Sequence, residues 1–310
     1  MTIAATPRGV RVRAPAKVNL ELRVGAPRPD GYHELATVFQ AVSLRDEVSV
    51  HRSAEWQVDV SGPYAGLVPS GPDNLALRAA RLLAQRHAVD EPLAILIDKD
   101  IPVAGGMAGG SADAAAALVA CDHLWGLGLS RDRLAELAAH LGSDVPFALV
   151  GGNAMGSGRG EQLAPVLARG SFHWVLAVSD TGLATPQVYA ELDRLRAGEP
   201  VPDPEVSDRL MTALRKGDPA ALGRALHNDL EPAAFSLRPE LRTLRDAGVE
   251  FGALGAVVSG SGPTVAFLTA SREAALDLSV SLAASGACRT LRRAKGPVHG
   301  ASVVAAARVE

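Results

Sequence analysis

A chain of 310 residues has room for two compact lobes or one large α/β domain, and is too long for a disulfide-stapled miniprotein. Hydrophobic residues make up 47% and charged residues 21%, the balance of a chain that buries a core and not of a disordered one. The 31 Lys and Arg against 34 Asp and Glu give a net charge of −3 without blocks of like charge, so neither a nucleic-acid partner nor a membrane partner is expected.

The first 17 residues carry Pro7, Arg8, Arg11, Arg13 and Pro15 and lack the apolar core of a signal peptide. The longest apolar run, around residues 114–121, falls well short of the roughly 18 residues that span a bilayer. Cys121 and Cys288 form no metal-spaced cluster, and both are expected to be reduced thiols in the cytoplasm.

Val18, Leu20, Leu22 and Val24 alternate with Asn19, Glu21 and Arg23, which predicts a half-buried strand with Lys17 on the face of Asn19. Arg28-Pro29-Asp30-Gly31-Tyr32-His33 reads as a loop, because Pro29 fixes its φ and Asp30-Gly31 is a turn signal. Extended segments are predicted near 48–50 and 56–60, and a Gly/Pro-rich stretch over 62–72 ends them. Helical spacing over 74–87 precedes a compact apolar strand at 93–97. A glycine-rich loop follows, and Ser111 is expected to cap an Ala-rich helix after it. Further helices are predicted from Ser130 to Gly142 and from Thr185-Pro186, in the N-cap and first positions, to Gly198. Tight turns are predicted at 151–152 and 156–160, and strands at 174–178, at 257–258 and in an extended stretch over 301–305. A helix is predicted after Ser271. The boundary between two lobes, 1–165 and 166–310, is expected near residues 160–171.

The loop Pro102-Val103-Ala104-Gly105-Gly106-Met107-Ala108-Gly109-Gly110-Ser111-Ala112 stands between a strand and a helix. Glycines there let the backbone approach a ligand, and free amides at the helix start can hold phosphate. It lacks the Gly-Lys-Ser/Thr ending of the common phosphate loop and the Gly-x-Gly-x-x-Gly spacing of dinucleotide sites, which sets an NAD-dependent oxidoreductase aside. A valine at Gly109 is expected to block phosphate while leaving the fold intact. Lys17 can stabilise a transferring phosphoryl group or be simply solvated; Asp144 can be a general base or a helix cap. Tyr189 reads most simply as a packed helical aromatic, and Ser259-Gly260-Ser261-Gly262-Pro263 as a second glycine-rich turn that could approach the first loop or a plain strand-to-helix connection.

Pro15-Ala16-Lys17-Val18-Asn19-Leu20, the glycine loop and Ser259-Gly260-Ser261-Gly262-Pro263 resemble, in this order, the three motifs of the GHMP small-molecule kinases. Arg28-Pro29-Asp30-Gly31-Tyr32-His33-Glu34-Leu35, Gly142-Ser143-Asp144-Val145-Pro146-Phe147 and Asn228-Asp229-Leu230-Glu231 narrow the resemblance to members acting on a cytidyl diphosphate sugar alcohol. It implies a two-lobed α+β fold with the active site in the cleft between lobes. It also implies ATP as co-substrate with Mg²⁺, and phosphorylation of the 2-hydroxyl of a methylerythritol unit on the non-mevalonate route to isoprenoid precursors. By the motif match, Lys17 and Asp144 are the catalytic pair and residues 102–112 cradle ATP, with Ser111 as the metal ligand to test. Asn19, Tyr32, His33, Thr185 and Tyr189 map onto substrate contacts, His33 reading the cytosine edge and Tyr189 stacking on the ring. A monomer or weak homodimer is expected.

Two departures stand out. Met107-Ala108 replaces Leu-Gly, which strains Ala108 if that position needs positive φ, and Tyr189 stands where Phe is usual. The rivals are a homoserine or mevalonate kinase, opposed by residues 28–35, and a non-catalytic sensor on the same fold, opposed by retention of Lys17 and Asp144.

Overall fold

The computed structural model describes residues 9–179 and 181–304; the readings at Pro7, Arg8 and Ala305 lie outside them. Strands β1 (Gly9–Pro27) and β2 (His33–Arg52) form one long antiparallel hairpin. The alternating pattern of β1 predicts one solvated face, yet Lys17, Asn19 and Glu21 are as buried as Val18 and Leu20. Alternation reports side-chain polarity and not what covers it: here the polar face is roofed by later parts of the chain, which supply hydrogen-bond partners. Glu21 accepts from Arg23 Nε at 2.9 Å and from Ser207 Oγ at 2.8 Å. The register slips between Asn19↔Phe39 and Glu21↔Val38, so the chain bulges at Leu20, beside the residues singled out above.

Strand β3 (Gln57–Ser61), helix α1 (Leu75–Arg86) and strand β4 (Leu93–Asp98) follow, with β4 antiparallel to β2 and parallel to β3. Asn74 caps α1 through the amides of Ala76 and Leu77. Helix α2 (Gly109–Trp125) is buried nearly all round, its alanines letting it lie close to both α1 and the β1–β2 hairpin. Its N-cap is Ala108 and not Ser111, because the Gly109-Gly110 pair enters the helix and moves the start towards the loop. Helix α3 (Arg131–Ala139) is capped by Ser130, and the short α4 (Val145–Val150) leads to strands β5 (Asn153–Ser157) and β6 (Gln162–Pro165). Gly156 belongs to β5 and not to a turn; a Cβ there would stand 2.8 Å from the Phe39 ring.

Strand β7 (Phe172–Val178) opens a second sheet. Helices α5 (Thr185–Leu195), α6 (Asp208–Lys216) and α7 (Pro219–Ala225) precede the two-residue strand β8 (His227–Asn228). Then come α8 (Glu231–Leu237), α9 (Glu240–Glu250), β9 (Gly255–Val258), β10 (Val265–Thr269), α10 (Arg272–Ala284), β11 (Thr290–Gly296) and β12 (Ser302–Val303). The second sheet is antiparallel throughout, in the order β11-β7-β10-β9. The first has eight strands: β12-β1-β2-β4-β3, with β5 and β6 leaving from β2 and β8 lying parallel to β1. The chain changes sheet between Pro165 and Phe172, while β8 and β12 return to the large sheet.

Strand β7 joins the layers by its period of two. Phe172, Trp174 and Leu176 pack into the core of the large sheet, whereas Val175 and Ala177 join the cluster built with α5, α8 and α10. Trp174 Nε1 donates to Gln40 Oε1 at 2.8 Å, a buried bond from one sheet to the other.

Candidate active site

A cleft of about 570 Å³ opens where the β1–β2 hairpin, the glycine loop, α5 and the turn after β9 meet. No side chain caps α2, so the amides of its first turn are left to a ligand. Pro102, Ala104, Gly105, Gly106, Ala108, Gly109, Gly110 and Ser111 line the cleft; Val103, Met107 and Ala112 do not. Met107 and Ala112 are fully buried and anchor the loop, Met107 also accepting from the Lys17 amide at 3.2 Å. Ala108 has φ 60°, so the strain foreseen for a residue with a Cβ at this position is present. The turn at 259–262 locks onto the loop: Ser259 Oγ donates to Gly106 O at 3.0 Å, and a Cβ on Gly106 would fall 1.9 Å from Ser259 O.

Lys17 and Asp144 come together across the cleft, Nζ to Oδ2 at 3.8 Å. Burial pushes the Lys17 ammonium below the ordinary lysine range, and the Asp144 carboxylate opposes that shift. Asn19 Oδ1 accepts from Lys17 Nζ at 2.5 Å, and Asn19 Nδ2 donates to Thr37 Oγ1 at 2.9 Å, so Asn19 fixes the ammonium from below. Asp144 precedes α4 but makes no capping bond, which leaves its carboxylate to the cleft. Thr185 is the first residue of α5 and not its cap, Ala184 taking that place; its hydroxyl pairs with Ser261 Oγ at 2.8 Å.

At the other end, Tyr32 is 53% exposed and His33 is buried, with Nε2 2.9 Å from Asp193 Oδ1. The rings of His33 and Tyr189 are 5.0 Å apart. Tyr189 packs on the second core cluster and also lines the cleft. Burial, helped by the Asp144 charge, pushes its phenol above the ordinary tyrosine range.

Several residues escaped the sequence reading. Arg159 lines the cleft beside Tyr32. Beneath the glycine loop, Lys99 Nζ lies 2.6 Å from both Asp46 and Asp113, all three buried, and Asp46 also accepts the amides of Asp100 and Ile101. Their separation in sequence, 46, 99 and 113, offers no spacing signal. A Cβ on Gly109 would stand 2.9 Å from Lys99 Nζ and 3.1 Å from Ile101, so a side chain there collides with the residues beneath the loop. Asn228 donates to the carbonyls of Val258 and Gly260, both at 2.7 Å, and holds the 259–262 turn in place.

Profiles of the GHMP kinases N terminal domain and of the GHMP kinases C terminal region match residues 74–152 and 210–288. A Streptomyces avermitilis 4-diphosphocytidyl-2-C-methyl-D-erythritol kinase is 55% identical over 295 residues, covering 95% of this chain and 99% of its own. The kinase of the same name from Mycolicibacterium smegmatis is 57% identical over 299 residues, covering 96% and 93%. The chain belongs to this family of GHMP kinases. A crystal structure of 4-(cytidine 5'-diphospho)-2C-methyl-D-erythritol kinase superposes on this kinase with a TM-score of 0.74 at 33% identity, covering 92% of this chain and 98% of that one. A homoserine kinase from Cytophaga hutchinsonii shares the fold, with a TM-score of 0.73 at 18% identity over 98% of this chain and 100% of its own. Among the described residues of this kinase, no helix is long and apolar enough to cross a membrane.

Proposed function

We propose that this kinase transfers the γ-phosphoryl group of ATP to the 2-hydroxyl of 4-diphosphocytidyl-2-C-methyl-D-erythritol, on the non-mevalonate route to isoprenoid precursors. The observation that carries this reading is the Lys17–Asp144 pair, 3.8 Å apart in the cleft that the uncapped start of α2 also lines, in a chain 55% identical to a kinase of that name. Phosphoryl transfer needs little covalent help from a protein; alignment and charge stabilisation do most of the work. Asp144 takes the proton of the attacking hydroxyl as the new P–O bond forms and the bond from the γ-phosphorus to the β,γ-bridging oxygen breaks, with ADP as the leaving group. Lys17, steadied by Asn19, keeps that carboxylate oriented and offsets charge on the transferring group. Amides of the glycine loop and of the first turn of α2 hold the ATP phosphates.

Tyr32, His33 and Tyr189 form the cytosine end, with the Asp193 contact orienting the His33 ring and Thr185 contributing from the far wall. Among the described residues no three His, Cys, Asp or Glu side chains gather as a metal cage. Mg²⁺ binds mainly through substrate phosphates and water, and Ser111, which lines the cleft, is the loop residue that would offer it a side-chain hydroxyl. When bound, the ion neutralises phosphate charge. The same reading puts the enzyme in the cytoplasm as a monomer or weak homodimer, with lobes over 1–165 and 166–310, a division supported by the change of sheet after β6.

The test is ADP release from ATP and Mg²⁺ with a panel of the cytidyl alcohol, mevalonate and homoserine. Release with the cytidyl alcohol alone is expected. Release only with mevalonate or homoserine would overturn the substrate assignment.

A further inference from the structure

Beneath the Lys17 ammonium, three hydrogen bonds lead through side chains to the main chain. Lys17 Nζ donates to Asn19 Oδ1 at 2.5 Å, Asn19 Nδ2 donates to Thr37 Oγ1 at 2.9 Å, and Thr37 Oγ1 donates to the carbonyl of Glu21 at 2.7 Å. We infer that Thr37 is a positioning residue for phosphoryl transfer, anchoring the Asn19 amide so that its oxygen stays under Lys17. This inference rests on the role given to Lys17 above.

The direction of the run is set at its two ends. A carbonyl only accepts, so the Thr37 hydroxyl spends its one hydrogen on Glu21 and offers Asn19 lone pairs alone. Asn19 meets them with its nitrogen, which turns its oxygen to Lys17, and an ammonium only donates, so both ends ask for the same amide orientation. Strand register brings the last bond about. Asn19 lies opposite Phe39, and past the bulge at Leu20 it is Leu22 that lies opposite Thr37. Leu22 and Thr37 line the cleft with Lys17 and Asn19 while Glu21 does not, and the disrupted ladder puts the Glu21 carbonyl within reach of the Thr37 hydroxyl.

The chemistry gives this anchor its use. Asp144, at 3.8 Å, is beyond ordinary hydrogen-bond distance from Nζ, so the acceptor that holds the ammonium closely is the neutral Asn19 oxygen. A neutral acceptor keeps Lys17 in place without occupying the carboxylate that takes the hydroxyl proton. Lys17, Asn19 and Thr37 are all buried, which raises the cost of leaving any of these groups unpaired. Without the Thr37 hydroxyl, the Asn19 nitrogen loses its acceptor on β2, and the amide is free to leave the position from which it supports Lys17.

The experiment measures kcat and both KM values for Thr37→Val, Thr37→Ser and Thr37→Cys, with the Val and Cys changes repeated in a Lys17→Ala background by single-turnover phosphoryl transfer. Thr37→Val keeps the shape and removes the hydroxyl, so kcat should fall on the order of 10- to 100-fold while the KM for ATP and for the cytidyl alcohol move by less than about 3-fold. Thr37→Ser restores the hydroxyl and should return kcat to within about 3-fold of wild type. Thr37→Cys, with a thiol that donates and accepts weakly, should fall between, and it carries the test if Thr37→Val does not fold. In the Lys17→Ala enzyme either change should alter the rate by less than about 3-fold, because the ammonium it serves is gone; a merely structural role would cost the same factor in both backgrounds. Normal kcat without the hydroxyl, equal losses in the two backgrounds, or a loss confined to the KM for the cytidyl alcohol would overturn the role of Thr37. A Lys17→Ala enzyme with wild-type kcat would instead overturn the role of Lys17, and this inference with it.

Discussion

At Asp144 the sequence alone left two roles open, general base and helix cap. The carboxylate makes no cap to α4 and faces Lys17. Asp144→Asn keeps the shape and removes the base, so kcat should fall on the order of 10²–10⁴ with the KM for ATP little changed. A folded variant with normal kcat would return Asp144 to a structural role. Lys17→Ala should also act on kcat, and the double variant should fall far short of the product of the single effects if the two residues work as a unit. Lys17, Asp144 and the loop glycines were legible because motif and residue type coincide. Arg159 and Asp193 were not, since each acquires its meaning from a neighbour that the chain reaches only after folding: Tyr32 for one, His33 for the other.

The element that organises the site is the loop with α2, and its foundation is the buried Lys99 cluster. A valine at Gly109 would drive its branches into Lys99 and Ile101, so Gly109→Val should cost about 1–3 kcal/mol of stability through overpacking, read by chemical denaturation. Unchanged stability with lost ATP binding would instead support the simpler idea of a blocked phosphate. Burial, then the Asp113 charge, lifts the Asp46 carboxyl from 3.8 to about 8 against the pull of Lys99. A carboxyl raised on folding holds its proton longer in the native state than in the unfolded one. Its stabilising contribution is therefore full below pH 3.8 and declines as pH climbs towards about 8. Asp113→Asn removes the second cause, so the decline of melting temperature between about pH 5 and pH 8 should be shallower than in wild type. An equal or steeper decline would show that Asp113 does not set the proton affinity of this cluster.

Across the whole molecule the two sheets are held by an apolar core and by polar bonds from one to the other, among them Trp174 to Gln40, Asn228 to Val258 O and Lys295 N to Ser43 Oγ. Replacing Trp174 by Phe keeps the ring in the core and leaves the buried Gln40 Oε1 without its donor. The expected cost is about 1–3 kcal/mol in urea denaturation, with ATP affinity intact; no loss would mean that this bond adds nothing to the packing between the layers. The sequence by itself determined what operates within a few residues. Asn74, Ser130 and Ser271 cap the helices that follow them, and alternation and helical spacing mark most strands and helices. The motif order likewise identified the family. Tertiary structure decided what lies opposite what. It buried the polar face of β1, moved the start of α2 to Gly109, and joined residues 46, 99 and 113 under the loop. It also turned Asp144 from a cap into the partner of Lys17. The physical reason is range: local propensity acts over one turn or one strand pair, whereas burial and charge pairing depend on surfaces brought together from distant parts of the chain.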